Sequence, residues 1–486
     1  GENSRGISLE DDVSGNVEII SVNTVSPGGN AVVVEGDVGG GVRANGTVSA
    51  HGYRTTTRYR ENLMVLFENE EEAAARGDVA DNLDSGSAFL VAGSVADGVF
   101  ISTSGTIQAY TGGGAALELR PDEDGTGDQV IGEVSLPDDY TTNRTDDDDE
   151  GDQLGYAVVN EGTIANNAVF DGKDATAFLV VGRDDNGVLR SVILGAGGVM
   201  NTRTVTATAY DGTARAMHFG AGAQADTILN SGVLRAAAVL GHEEDGFADD
   251  AYGAGRAIAL DLDENSQIRR ILNEAGNINA TITGGGQSAI AIRSNDDSLD
   301  EIRNSGIISA VAGGLEDGFS RDDMEILAID ARNNDGGLAI IQEQAYDDEG
   351  EPISTPSITG DILLGDGDDR VEINAGSITG DISFGLGADV LVINNGSLNG
   401  AVSDADGDLV LDVTNGEIGL TGTDALALRD AIFRNGGVLE VVIDAQDRTN
   451  AFLNASGDVT FEEGSSLSVG LGDVIGAGGK TIERSL

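Results

Sequence analysis

The sequence predicts an all-β chain, a right-handed parallel β-helix (solenoid) with inserted acidic loops. Three observations carry that prediction: a 20-residue repeat between 357 and 416, a turn-plus-strand element that recurs upstream of it, and 72 glycines set against only 5 prolines. The repeat is the strongest of these, because a fixed period determines the architecture. Ser357-Ile-Thr-Gly360 returns as Ser377-Ile-Thr-Gly380 and, more loosely, as Ser397-Leu-Asn-Gly400. In the second half of each unit Val371 and Ile373 match Leu391 and Ile393, then Leu411 and Val413. That alternation is the mark of a strand with one buried face. Twenty residues make about one coil of a β-helix, whose inward residues stack on their equivalents in the next coil.

Upstream, the recurring element is Asn45-Gly-Thr-Val48, Ser104-Gly-Thr-Ile107, Asn160-Glu-Gly-Thr-Ile164, Asn230-Ser-Gly-Val233 and Asn304-Ser-Gly-Ile307. Asn and Gly tolerate positive φ, so these residues are expected to turn the chain at a corner. A small-plus-aliphatic element accompanies them: Ser87-Ala-Phe-Leu-Val91, Thr176-Ala-Phe-Leu-Val-Val181, Arg256-Ala-Ile-Ala-Leu260 and Ser288-Ala-Ile-Ala-Ile292. Small residues suit a narrow interior. Two segments break the pattern. Glu61 to Arg76 has good helix propensity. Thr423 to Gly437 carries an N-cap candidate, apolar Leu428, Ala431 and Ile432, and a glycine stop, the signals of a short helix, and is expected to interrupt or brace the late coils. The organisation expected is an irregular β-helix with loop insertions over 1–356, regular coils over 357–422 and a capping segment over 423–486.

Charge narrows the partners. Lys plus Arg number 27 and Asp plus Glu 84, a formal net charge of −57. Such a chain repels nucleic acid and anionic lipid, so no nucleic-acid partner is expected. Self-repulsion also opposes compaction unless cations screen it, which points to calcium or high salt outside a cell. There is no Cys, hence neither a disulfide nor a thiolate metal site. The sequence has no apolar run of membrane-spanning length and no signal peptide, and Gly1 in place of an initiator Met suggests a processed start.

The 357–416 units, the Asn-x-Gly corners and the ending from Val459 to Gly476 together resemble the passenger region of bacterial autotransporters. The resemblance implies type V secretion through an outer-membrane translocator and residence outside a Gram-negative cell or on its outer surface. It further implies an autochaperone-like role for 423–486 and folding from the C-terminal coils outward. The outer-membrane barrel that follows the passenger in that family is not within these residues.

Two sets of acidic turns are candidate calcium sites. Gly365-Asp-Gly-Asp-Asp-Arg-Val371 and Gly385-Leu-Gly-Ala-Asp-Val-Leu391 match the G-x-G-x-D-x-aliphatic core of calcium-binding nonapeptide repeats, though they stand 20 residues apart. Stacked turns would share a cation through Asp366, Asp368, Asp369 and Asp389; alternatively they are corners with solvated carboxylates. The second set is Glu244-Asp245-Gly-Phe-Ala-Asp249-Asp250, which recurs as Glu316-Asp317-Gly-Phe-Ser-Arg-Asp322-Asp323. Hard oxygen ligands in this density suit calcium. Equally, this is a duplicated surface loop anchored by Phe247 and Phe319. The run Asp146 to Asp152 reads as a solvated loop or, alternatively, as a cation-mediated contact with a neighbouring molecule.

Catalysis finds thin support. His occurs only at 51, 218 and 242, and no nucleophile, zinc or phosphate-loop motif is present. With 84 acids, some carboxylate pair will stand at any chosen separation, so the count says nothing about glycoside hydrolysis. There is no Trp, and aromatics make up 4% of the chain, against the aromatic platforms of sugar-processing grooves. The one basic, aromatic patch is Tyr53, Arg54, Arg58, Tyr59 and Arg60, either a partner-binding site or a loop whose arginines pair with Glu61 and Glu68. The expectation is a non-enzymatic surface protein, a lattice or fibre of its own copies stabilised by calcium. The alternatives are an adhesin for a cell, host or glycan surface, and a β-helical polysaccharide lyase or hydrolase.

Overall fold

In the computed structural model, equivalent residues of successive coils pair in parallel register, as the repeat requires. Described are residues 4–52, 84–136, 154–195, 197–241, 252–421, 425–443, 452–471 and 482–485. The chain is a parallel β-helix, and it divides into two compact units. One comprises Gly1–Arg269, Asn277–Arg293 and Ala310–Ile326; the other comprises Arg270–Gly276, Ser294–Ser309 and Leu327–Leu486.

In the first unit one inward column runs Val48, Ile107, Ile164, Val205, Leu234, Ile278, each paired in parallel with the next. All six are fully buried. Each such side chain contributes about 1.5–3 kcal/mol of transfer free energy, so the column is a continuous hydrophobic spine. A second wall is built from the small-plus-aliphatic elements, the strands Phe89–Val91, Ala115–Leu119, Ala175–Val180, Thr213–Phe219 and Arg256–Leu262. Ala177, Ala214, Ala216, Ala257 and Ala259 point inward with no exposed surface. Phe178 and Phe219 meet edge to face at 6.1 Å and fill the space the alanines leave.

In the second unit the 20-residue period appears directly as register. Ile358, Ile378, Leu398 and Ile418 form one column, and Val371, Leu391 and Leu411 another. Backbones come close at the corners: a Cβ on Gly385 would lie 1.8 Å from the Gly365 carbonyl oxygen. Asn395, Asn415 and Asn435 turn the chain at φ of 57°, 49° and 50°, as expected of Asn at a corner. The strand Ser466–Leu471 pairs antiparallel with Ile482–Ser485, which covers its free edge.

Two expectations are corrected. The segment around Leu428 is not helical; it forms the strands Leu426–Leu428 and Asp430–Arg434. Leu426, Leu428, Ala431 and Phe433 are buried and their neighbours are not, a period of two. Ala431 and Phe433 continue the columns of Leu411 and Val413, and Phe433 stacks on Phe461 at 4.5 Å. Partners on adjacent coils outweigh the local signal. The only helical element among the described residues is the 3₁₀ turn Arg321–Asp323; Glu61 to Arg76 lies outside them.

The second correction concerns Asn160, Asn230 and Asn304, whose backbones do not take positive φ. They end strands and point inward. In the first unit Asn160 Nδ2 donates to Asn201 Oδ1 at 2.7 Å, and Asn201 Nδ2 to Asn230 Oδ1 at 2.8 Å. In the second, Asn273 Nδ2 donates to Asn304 Oδ1 at 2.8 Å, and Asn304 Nδ2 to Gln342 Oε1 at 3.2 Å. An amide carries both donor and acceptor, so one residue type repeated at one rung satisfies itself coil after coil.

Candidate functional site

The acidic residues have a first role that their local sequence does not disclose. Where a strand ends, the backbone N–H of the next coil loses its carbonyl partner, and an Asp on the earlier coil supplies an oxygen instead. In the first unit Asp12 accepts from Asp37 N at 3.0 Å, Asp37 from Ser94 N at 2.8 Å and Asp174 from Thr213 N at 2.8 Å. In the second unit Asp297 accepts from Asp335 N at 2.9 Å, Asp361 from Asp381 N at 2.8 Å and Asp381 from Ala401 N at 2.7 Å. Aspartate is short enough to reach the next rung without crossing it. A hydrogen bond to a charged acceptor is worth about 1.5–3 kcal/mol.

Among the candidate calcium ligands, Asp366 and Asp368 belong to this scheme. Both are exposed, and they accept from Leu386 N at 3.2 Å and Ala388 N at 2.9 Å. Asp369 and Asp389 differ. They precede the strands Arg370–Ile373 and Val390–Asn394 and are buried to 1% and 0% exposure. Asp369 Oδ1 accepts from Leu338 N at 2.7 Å, and Asp389 Oδ1 from Asp369 N at 2.8 Å. The other oxygen of each, Oδ2, is buried and has no hydrogen-bond partner among the described residues. Burial, reinforced by neighbouring carboxylates and partly offset by the backbone donors, pushes Asp369 up to about 7 and Asp389 up to about 6.

Asp404 joins them. It pairs with Phe384 of the preceding coil and so takes an inward position that a phenyl ring fills one rung earlier. Its Oδ2 accepts from Leu409 N at 2.8 Å, and the backbone N–H groups of Asp406 and Asp408 also act on the carboxylate, while burial pushes it above its ordinary value. Among the described residues, no three of these carboxylates bring ligand oxygens within 4.8 Å of one another.

Glu316, Asp317, Asp322 and Asp323 are all exposed. Their loop is held by Phe319, which meets Tyr252 at 6.0 Å and lies over Gly285 and Gly253, while the Ser320 hydroxyl accepts from Asp322 N at 3.2 Å. The Phe anchor thus operates here. Glu244, Asp245, Asp249 and Asp250 lie outside the described residues, as do Asp146 to Asp152 and the patch from Tyr53 to Arg60. Asp211 accepts from the N–H groups of Gly241 and Gly253, at 2.9 and 3.1 Å, on either side of the former loop.

A polar cluster that sequence reading missed stands on the outer face of the first unit. His218 pairs in register with Asp261. Asp261, with no exposed surface, accepts from Arg215 Nε at 2.9 Å and from Arg293 Nε and Nη2 at 2.7 and 2.8 Å. His218 Nε2 lies 2.7 Å from Asp263 Oδ2, and that hydrogen bond holds the Asp263 carboxyl below its ordinary value. His218, Asp261 and Asp263 offer three ligand atoms within 4.8 Å of one another. Two guanidiniums already occupy both oxygens of Asp261, however, so the cluster balances its own charge and that carboxylate has no oxygen left for a further cation. A signal was present: aligning Arg256-Ala-Ile-Ala-Leu260 with Ser288-Ala-Ile-Ala-Ile292, and reading one residue further, sets Asp261 against Arg293.

His51 is buried, lies 3.0 Å from Asn23 Oδ1 and meets Tyr110 edge on. Two adjoining clefts of the first unit, about 550 and 360 Å³, share Glu10, Glu35, Ala92, Pro121 and Asp122 in their walls; Arg5 and Arg120 line the larger, Asp12, Asp37, Asp128 and Arg190 the smaller. No helix among the described residues is long and apolar enough to cross a membrane. No known family model matches this chain, and no curated protein or solved structure is detectably similar to it.

Proposed function

We propose that the chain is a non-enzymatic structural protein of the extracellular or outer surface of a Gram-negative bacterium, exported through an outer-membrane translocator and assembling with its own copies into a layer or fibre that calcium stabilises. The observation that supports this reading is the placement of the carboxylates. They recur at equivalent corners of successive coils, as Asp297, Asp335 and Asp366 do, or Asp361 and Asp381. Coils stack at about 4.8 Å, so each row is a closely spaced line of negative charge. Two such lines repel one another unless divalent cations lie between them. Sedimentation velocity across a calcium titration tests this: larger species that chelator dissolves are expected, and a species unchanged by calcium would contradict it.

The clefts beside Glu10 and Glu35 favour a second reading, an adhesin that takes a ligand from a cell or glycan surface. Its test is binding of the intact protein to a glycan array and to whole cells, and a blank result in both would end it.

A further inference from the structure

We propose that one outer wall of the first unit is the surface on which two copies of this chain pair, face to face, with no cation between them. This names the contact for the self-assembly put forward above and rests on that part of it; the calcium-bridged carboxylate rows are a separate matter.

The wall belongs to the coils whose buried spine is Val48, Ile107, Ile164, Val205, Leu234 and Ile278, and the residues alternating with that spine face outward. One outward column runs Thr47, Thr106, Thr163, Thr204, Val233, Asn277, and the next Ser49, Gln108, Ala165, Thr206, Arg235, Asn279, each residue paired in parallel with its successor. A third carries Asn167, Thr208, Ala237 and Thr281. No carboxylate stands in these columns and Arg235 is their one fixed charge, although acids make up 84 of the 486 residues. The wall built on Phe89–Val91 differs, for its outward column passes through Glu118, His218 and Asp261. Two copies of a chain of charge −57 repel one another most where acids face acids, so the carboxylate-free wall is where they approach at least cost. Hydroxyl and amide groups both donate and accept, so the face is complementary to itself, as a two-fold contact demands. An antiparallel arrangement of the two solenoids keeps their Arg235 side chains about three coils, or about 14 Å, apart. The strands Thr204–Tyr210, Val233–Val239 and Asn277–Thr283 are each seven residues long. With six coils at about 4.8 Å, the face measures roughly 29 by 20 Å. A pair of such faces covers about 1,100 Å², just past the roughly 1,000 Å² that a specific interface needs, so a reversible dimer is expected.

The test is sedimentation equilibrium of the whole chain in chelator, at low and high salt, with T208E, T281E and the control V188E beside it. Val188 is exposed on a separate two-stranded hairpin, and circular dichroism verifies that each variant folds. Expected is a monomer–dimer equilibrium in the wild type, weakened at least tenfold in T208E and in T281E, because each new charge enters the contact twice, and unchanged in V188E. Salt is expected to strengthen the dimer, since it screens the repulsion between the two acidic chains. Should T208E and T281E fail to fold, T47E, at the exposed start of the first column, carries the test. A wild type that stays monomeric throughout the concentration series at high salt, or folded glutamate variants that pair as the wild type does, overturns the contact. Retention of a monomeric wild type, but not of T208E, on cellulose would give the face to a neutral polysaccharide and likewise overturns the pairing. Dimers in chelator that grow no further in calcium would leave the face standing and overturn only the calcium-bridged layer.

Discussion

Replacing Asn201 by Ala removes the middle rung of a buried amide ladder. Asn160, Asn201 and Asn230 are each exposed by 1% or less. N201A leaves Asn160 without the acceptor it meets at 2.7 Å and Asn230 Oδ1 without the donor at 2.8 Å. Asn160 keeps a longer bond to the Thr204 carbonyl at 3.3 Å, so the expected loss is about 1–3 kcal/mol. Urea unfolding followed by far-ultraviolet dichroism measures the total. Stacked coils unfold in nearest-neighbour steps, so hydrogen exchange over Gly198–Asn201 and Ala223–Asn230 locates the loss. The exposed pair Asn333 and Asn295, joined at 3.0 Å, supplies the control: N333A is expected to stay within about 0.5 kcal/mol of the wild type. An N201A protein as stable as N333A would refute the ladder as a source of stability.

Further outcomes follow from the same geometry. In chelator, stability is expected to be greatest below about pH 4 as far as Asp369 and Asp389 are concerned, and to fall as pH rises through about 6 and 7, because their folded-state values lie above the unfolded ones. The loss is about 1.4 kcal/mol per unit of upward shift, and denaturant midpoints between pH 5 and 8 measure it. D261A removes the carboxylate that Arg215 and Arg293 share, while Arg215 keeps Asp174 at 3.2 Å and Arg293 keeps Asp263 at 3.9 Å, and is expected to cost about 1–3 kcal/mol, read by the same denaturant series. G385A drives a Cβ against the Gly365 carbonyl, where neither backbone can yield, and is expected to cost about 1–3 kcal/mol or more and to raise exchange in the flanking strands. F319A frees the Glu316–Asp323 loop: exchange there rises several-fold, while global stability changes by less than about 1 kcal/mol, since the ring is only half-buried.

What was legible in the sequence was whatever repeats at fixed spacing. Val371, Leu391 and Leu411 announce their own stacking because nothing is inserted between them. The helix expected around Leu428 failed because its alternation is completed only by Leu411 and Val413 on the coil before. Asn160 and Asn395 look alike locally, yet one faces inward to an amide 41 residues away and the other turns a corner at positive φ. The difference lies in partners that local sequence does not display. The same holds for the acids. Asp366 and Asp389 both fall within Gly-Asp turns, but one is an exposed cap and the other a buried carboxylate with one unsatisfied oxygen. The His218, Asp261 and Arg293 cluster needed the register of three coils separated by long insertions, so composition and spacing alone passed it by.

Electron microscopy of the purified chain, first in calcium and then in chelator, tests surface assembly most directly. Ordered sheets or fibres in calcium that disperse in chelator, and re-form when calcium returns, are the predicted result. Single particles of unchanged size in both conditions would contradict it.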